Sequence, residues 1–168
     1  MACGKTTLGR ALQAATGIGF VDTDAEVERA AGMSVSEIFA QKGEAEFRRM
    51  ESEVLARVCA GSQGCIVACG GGTPCREENM ALMLGHGKVV WLDADTDITV
   101  QRLLDAPGQR PLANGLDATA MREMVVKGKA ARECHYSRAH ARFDSSRLDT
   151  REQVDESVRR FIDTFIGA

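Results

Sequence analysis

The chain opens on Met1-Ala2-Cys3-Gly4-Lys5-Thr6-Thr7, the last part of the pattern G-x-x-x-x-G-K-[ST]. In such a loop consecutive backbone N–H groups cradle phosphate oxygens, Lys5 reaches the β and γ phosphates, and Thr6 can ligate Mg²⁺ beside the positive end of the next helix. That helix is expected over Lys5–Thr16, because Leu8, Leu12 and Ala15 recur at helical spacing. The pattern's first glycine, and the strand that normally feeds the loop, would fall ahead of Met1.

Length and composition bound the rest. With 168 residues, 44% of them hydrophobic, one domain can bury a sizeable core. A net charge of −3 with mixed signs and only 5% aromatic residues argue against nucleic acid as a partner. No apolar run approaches the length of a membrane span, so no membrane association is expected and the expected location is the cytoplasm. In that reducing compartment Cys3, Cys59, Cys65, Cys69, Cys75 and Cys134 are expected to be thiols, and none forms a C-x₂-C pair of the kind zinc sites use.

Apolar periodicity alternates along the chain. Strands are expected at Ile18–Val21, Gly64–Cys69, Lys88–Leu92 and, weakly, Ala141–Phe143, the first and third reading as buried runs and the second as a strand entering the glycines. Helices are expected at Ala25–Ala31, Ser34–Gln41, Gly43–Ala60, Glu77–Leu84, Thr96–Leu104, Ala118–Tyr136 and Arg151–Ile166. Asp105–Gly115 is punctuated by Pro107, Gly108 and Pro111 like a loop. Such alternation implies a parallel α/β sheet flanked by helices, with ligands beyond the carboxyl ends of the strands.

Several residues stand where that architecture puts chemistry. Asp22 and Asp24 follow a strand one residue apart, so both can emerge toward the phosphate site while Thr23 points elsewhere. The alternative is a solvated turn with Asp24 capping a helix. Arg48 can pair with Glu51 at i,i+3 and can also offer two parallel donors to a carboxylate. Gly70-Gly71-Gly72 after an apolar run permits close backbone approach and lacks the spacing of a dinucleotide fingerprint. Asp93, also at a strand end, is not assigned to a metal.

Six short motifs in this order resemble the shikimate kinase family: G-K-T-T at Gly4–Thr7, D-T-D at Asp22–Asp24, G-E-A-E-F-R-R at Gly43–Arg49, G-G-G-T-P at Gly70–Pro74, Q-R-P-L at Gln109–Leu112 and R-x-x-x-Y at Arg132–Tyr136. The resemblance spans the whole chain. It implies a three-layer α/β fold of the phosphate-loop, nucleoside-monophosphate-kinase-like type, here without its first, central strand. It also implies one domain with a substrate-binding helical segment at 31–60 and a lid at 105–115.

The implied activity is ATP-dependent phosphorylation of the 3-hydroxyl of shikimate, with ATP and Mg²⁺, by a monomer. Lys5, Asp24 and Arg110 would be catalytic. Gly4, Lys5, Thr6, Thr7, Arg102 and Arg110 would hold ATP, with Arg102 stacked on adenine, and Thr6 and Asp22 would hold Mg²⁺. Shikimate would meet Asp24, Arg48, Gly70, Gly71, Gly72 and Arg132, with Phe39 and Phe47 as an apolar wall and Glu51 orienting Arg48. Another small-metabolite kinase of the same fold, or a non-catalytic nucleotide-binding relative with an incomplete loop, remain the alternatives.

Overall fold

Leu8 and Leu12 lie one helical turn apart and are each 1% exposed, which fixes the buried stripe of the first helix, α1 (Lys5–Thr16). In the computed structural model, residues 2–61, 63–105 and 115–167 are described. They divide into two compact units, Thr6–Val89 and Met1–Lys5 together with Val90–Ala168.

Within Thr6–Val89, α1 leads to β1 (Gly19–Asp22), α2 (Thr23–Ala31), α3 (Val35–Cys59), β2 (Cys65–Ala68), a single 3-10 turn at Thr73–Cys75 and α4 (Glu77–His86). β1 and β2 pair in parallel, with Phe20 opposite Ile66 and Asp22 opposite Ala68. Helix α2 begins at Thr23, and its cap is Asp22, whose side chain accepts from the Asp24 N–H, so Asp24 is not the capping residue. It ends at Gly32, which takes the left-handed φ of 65° that a glycine tolerates.

Helix α3 starts on a capping box in which Ser34 and Glu37 satisfy each other's backbone N–H groups. It is broken at Gly43 (φ 80°, ψ 169°), where the sequence predicts one helix ending and another beginning. Val27 of α2 and Ile38, Phe47 and Val54 of α3 form one buried cluster across the break.

The second unit contains β3 (Val90–Asp93), α5 (Thr96–Asp105), α6 (Ala118–Tyr136), β4 (Ala141–Asp144) and α7 (Arg151–Phe165). β3 and β4 are parallel, with Trp91 opposite Arg142 and Asp93 opposite Asp144. Val100 and Leu103 of α5 pack with Met121 and Val125 of α6. Phe143 of β4 meets Phe161 of α7 edge-on at 5.1 Å between ring centroids.

The strands differ from expectation in one respect. Phe20, Val21, Val90, Trp91 and Leu92 are only half-buried, and Ala68 and Phe143 are the fully buried strand residues. Full burial of a parallel strand requires neighbours on both edges and cover on both faces. Each sheet here has two strands, so every strand keeps one edge outside a ladder among the described residues. The segment 106–114, most of the expected lid, lies outside the described residues.

Candidate active site

In the Thr6–Val89 unit, the parallel strands β1 and β2 end side by side, and the polar residues follow directly. The Thr6 hydroxyl, at the start of α1, donates to Asp22 Oδ2 at 2.8 Å, while Asp22 Oδ1 accepts from the Asp24 N–H at 3.1 Å. One carboxylate therefore caps α2 and also faces the phosphate loop's threonine. Thr23, the first residue of α2, points into the interior instead. It is fully buried, donates to the Ala68 carbonyl at 3.3 Å and accepts from the Gly70 N–H at 3.1 Å, which ties the two strand ends together.

The glycine turn packs against charged side chains. A Cβ on Gly70 would stand 2.8 Å from Asp24 Oδ1 and would also strike Glu51 Oε1, and one on Gly72 would fall 2.6 Å from Cζ of Arg48. Only glycine lets the backbone come this close. Asp24, Arg48, Glu51, Gly70 and Gly72 are thus brought into one site.

Glu51 is 0% exposed and carries two bonds: Arg48 Nη1 donates to Oε2 at 2.9 Å and the Thr73 hydroxyl donates to Oε1 at 2.6 Å. Arg48 also reaches the exposed Glu44 at 3.2 Å. Burial lowers the guanidinium's pKa, and the bonds and charges of Glu51 and Glu44 raise it by more, so Arg48 is held firmly cationic. Beside it, Phe47 is buried and Phe39 is 37% exposed, their rings 4.8 Å apart.

Thr7 and Gly71 also belong to the Thr6–Val89 unit, and the other unit carries Gly4, Lys5, Arg102, Arg132 and Asp93. Gly4 takes a φ of 81°, and Lys5 Nζ lies 4.0 Å from Cys3 Sγ. Burial pushes the Cys3 thiol up, but the Lys5 ammonium and nearby backbone N–H groups outweigh it and leave the thiol more acidic than usual. Arg102 donates to both oxygens of Asp149, at 2.6 and 3.1 Å, and to the carbonyls of Ala2, Ser145 and Ser146. Its guanidinium edge is thereby engaged, and a role toward adenine would fall to its flat face. Arg132 lies half-buried on α6, one turn after Gly128. Asp93 pairs with Lys129 at 2.7 Å and with Arg142, so its charge is already matched by two cations. Arg110 falls outside the described residues.

Sequence reasoning missed Thr73 and Asn79. Thr73 is fully buried, and its carbonyl accepts from Asn79 Nδ2 at 3.2 Å, Asn79 being 3% exposed. The available signal was Asn79 next to Met80 on the inward side of α4, a polar residue where the helix turns to the core.

The oxygens of Thr6 and Asp22 meeting at the end of β1, a glycine-lysine-threonine run entering α1, and parallel strands alternating with helices define an α/β phosphate-loop kinase. The shikimate kinase family model matches residues 1–164, and the chain belongs to that family. A shikimate kinase of Synechococcus sp. (strain JA-3-3Ab) is 42% identical over 158 residues, covering 94% of this chain and 81% of the relative. One from Gloeobacter violaceus is 43% identical over 148 residues, covering 88% and 81%. Among solved structures, the shikimate kinase from Bacteroides thetaiotaomicron matches with a TM-score of 0.92 at 32% identity, covering 98% of this chain and 93% of that one. The enzyme from Acinetobacter baumannii in complex with shikimate matches with a TM-score of 0.80 at 26% identity, covering 98% and 88%.

Proposed function

We propose that this chain transfers the γ-phosphoryl group of ATP to the 3-hydroxyl of shikimate, giving shikimate 3-phosphate and ADP. The observation that carries the reading is the Arg48 guanidinium, held by a fully buried Glu51 against Gly72, with Asp24 packed at Gly70 of the same glycine turn, in a chain of this family. A fixed planar cation matches a carboxylate, and shikimate is a carboxylate with neighbouring hydroxyls.

Thr6 and Asp22 fit a magnesium ion, since their oxygens already converge and a small hard cation keeps its remaining positions for water and phosphate. When bound, the ion would neutralise phosphate charge. Gly4, Lys5, Thr6 and Thr7 hold the triphosphate through backbone N–H groups and the ammonium, and Arg102 offers its flat face to adenine. Arg48 and Arg132 bind the shikimate carboxylate, the Gly70–Gly72 backbone approaches the ring, and Phe39 and Phe47 give it an apolar wall. Asp24 accepts from the attacking hydroxyl and takes its proton as the oxygen–phosphorus bond forms and ADP leaves. Lys5 and Arg110 stabilise the charge on the transferring group, positioning and charge being the main contributions in this chemistry.

We place the enzyme in the cytoplasm as a monomer without nucleic-acid or membrane partners. Its six free cysteines accord with a reducing compartment, and among the described residues no helix is long and apolar enough to cross a membrane. The test is ADP release with shikimate, quinate and gluconate as acceptors. Shikimate should be strongly preferred, and equal turnover of gluconate would replace this reading by another small-metabolite kinase.

A further inference from the structure

We propose that Thr73 is a positioning residue for Arg48: its hydroxyl locks the Glu51 carboxylate, and through Glu51 it sets the direction in which the guanidinium faces the substrate carboxylate. This rests on the reading of Arg48 as the carboxylate-binding arginine.

Arg48 has two acidic neighbours on α3, and they are not equivalent. Glu44 is 66% exposed, and a pair of that kind contributes little and fixes little. Glu51 is wholly buried, so its carboxylate cannot trade the arginine for water. The terminal torsion of a glutamate is nevertheless broad, and one bond to a long arginine leaves the carboxylate plane free to swing. The second bond, from Thr73 Oγ1 at 2.6 Å, removes that freedom.

Thr73 itself has little room to move. Its N–H donates to the Gly70 carbonyl at 3.1 Å, and its carbonyl accepts from Asn79 Nδ2 at 3.2 Å and the Arg76 N–H at 3.4 Å. Branching at Cβ stiffens its χ1. Helix α4, the 3-10 turn, Glu51 and Arg48 therefore form one chain of bonds. It ends on the cation that is read as binding the substrate carboxylate, away from the transferring phosphoryl group. Loss of the hydroxyl should accordingly loosen shikimate binding and spare the chemical step.

The experiment compares the wild type with Thr73→Val, Thr73→Ala and Thr73→Ser, each held well below its melting temperature. In both hydroxyl-less variants KM for shikimate should rise about tenfold, in line with a lost hydrogen bond to a charged group, while kcat and KM for ATP stay within about twofold. Thr73→Ser should restore the wild-type KM. The Arg48 Nε–Hε resonance should be sharp in the wild type and in Thr73→Ser and exchange-broadened in Thr73→Val or Thr73→Ala, a readout independent of turnover.

Should Thr73→Val fold poorly, Thr73→Ala decides with the smaller side chain. Unchanged shikimate KM with a sharp Arg48 signal in the hydroxyl-less variants overturns the proposal, as does an equal fall in kcat that serine does not repair. If the wild type ignores shikimate, the substrate reading falls instead, and the Arg48 resonance still decides whether Thr73 positions the arginine.

Discussion

The Thr6 hydroxyl and the Asp22 carboxylate meet at 2.8 Å, joining the first turn of α1 to the end of β1 sixteen residues later. The same carboxylate caps α2 through its other oxygen. Asp22→Asn separates the two duties, because an amide oxygen can still accept from the Asp24 N–H while the negative charge is lost. The expected outcome is a melting temperature close to wild type and a Mg²⁺ requirement raised at least about tenfold, equivalent to about 1.4 kcal/mol. A titration of turnover against Mg²⁺ at fixed ATP checks it. An unchanged titration with full activity would remove Asp22 from the metal site.

Arg48 should matter for both stability and binding, and the two can be pulled apart. Arg48→Ala leaves Glu51 charged and fully buried without its cation, an arrangement that costs about 3–5 kcal/mol when a buried pair is broken. Pairing it with Glu51→Gln should recover most of that loss. Shikimate affinity should stay down by roughly ten- to a hundredfold in both variants, since the charged donor is gone either way. Arg132→Ala, on half-buried α6, should weaken shikimate to a similar degree with little change in melting. Denaturant titration beside equilibrium shikimate binding separates the effects, and restored affinity in the double variant would contradict the assignment.

The contiguous parts of this site were legible in the sequence, and the parts that depend on distant residues were not. The G-K-T-T loop, the D-T-D pair and the break at Gly43 each lie in one stretch, where local pattern and backbone preference act directly. The i,i+3 pair of Arg48 with Glu51 follows from helix spacing alone. In contrast, the bond from Gly70 N–H to Thr23 joins residues 47 apart, and so does the ion pair of Arg102 with Asp149. Nothing in either segment announces such a partner. Strand burial was overestimated for a related reason: an apolar run reports what side chains prefer, not how many ladder neighbours a strand has.

Three glycines give a graded test of close packing. Gly70→Ala would press a methyl onto the Glu51 and Asp24 carboxylates, so shikimate turnover should fall by at least about a hundredfold, or roughly 2.7 kcal/mol in the barrier. Gly9, buried in α1, lies under the Phe20 ring, and a Cβ there would sit 2.7 and 3.0 Å from two of its ring atoms. A rigid ring cannot yield as a flexible chain end would, so overpacking of about 1–3 kcal/mol should outweigh the gain of about 1 kcal/mol in helix propensity. Gly128 in α6 has only an ordinary contact at 3.8 Å, so Gly128→Ala should stabilise by up to about 1 kcal/mol. Melting of all three and kcat/KM of the first rank them. A Gly9→Ala protein more stable than Gly128→Ala would refute the packing at Phe20.

Two buried serines make opposite predictions. Ser157, 1% exposed on α7, donates to the Arg147 carbonyl at 2.8 Å. Removing that donor leaves a carbonyl short of a partner, and Ser157→Ala should cost about 0.5–1.5 kcal/mol. Ser145, just past β4, is 0% exposed, and its Oγ has no hydrogen-bond partner among the described residues. A buried hydroxyl left without a partner carries a penalty of about 1–3 kcal/mol. Ser145→Ala keeps the backbone bond from its N–H to the Asp93 carbonyl and removes only the orphaned group. It should therefore be neutral or stabilising. Urea unfolding of both variants gives the comparison, with an unchanged m-value as the condition for reading the midpoint as stability. A loss of more than about 1 kcal/mol in Ser145→Ala would mean that the hydroxyl is satisfied in solution, by bound water or by a bonding partner outside the described residues.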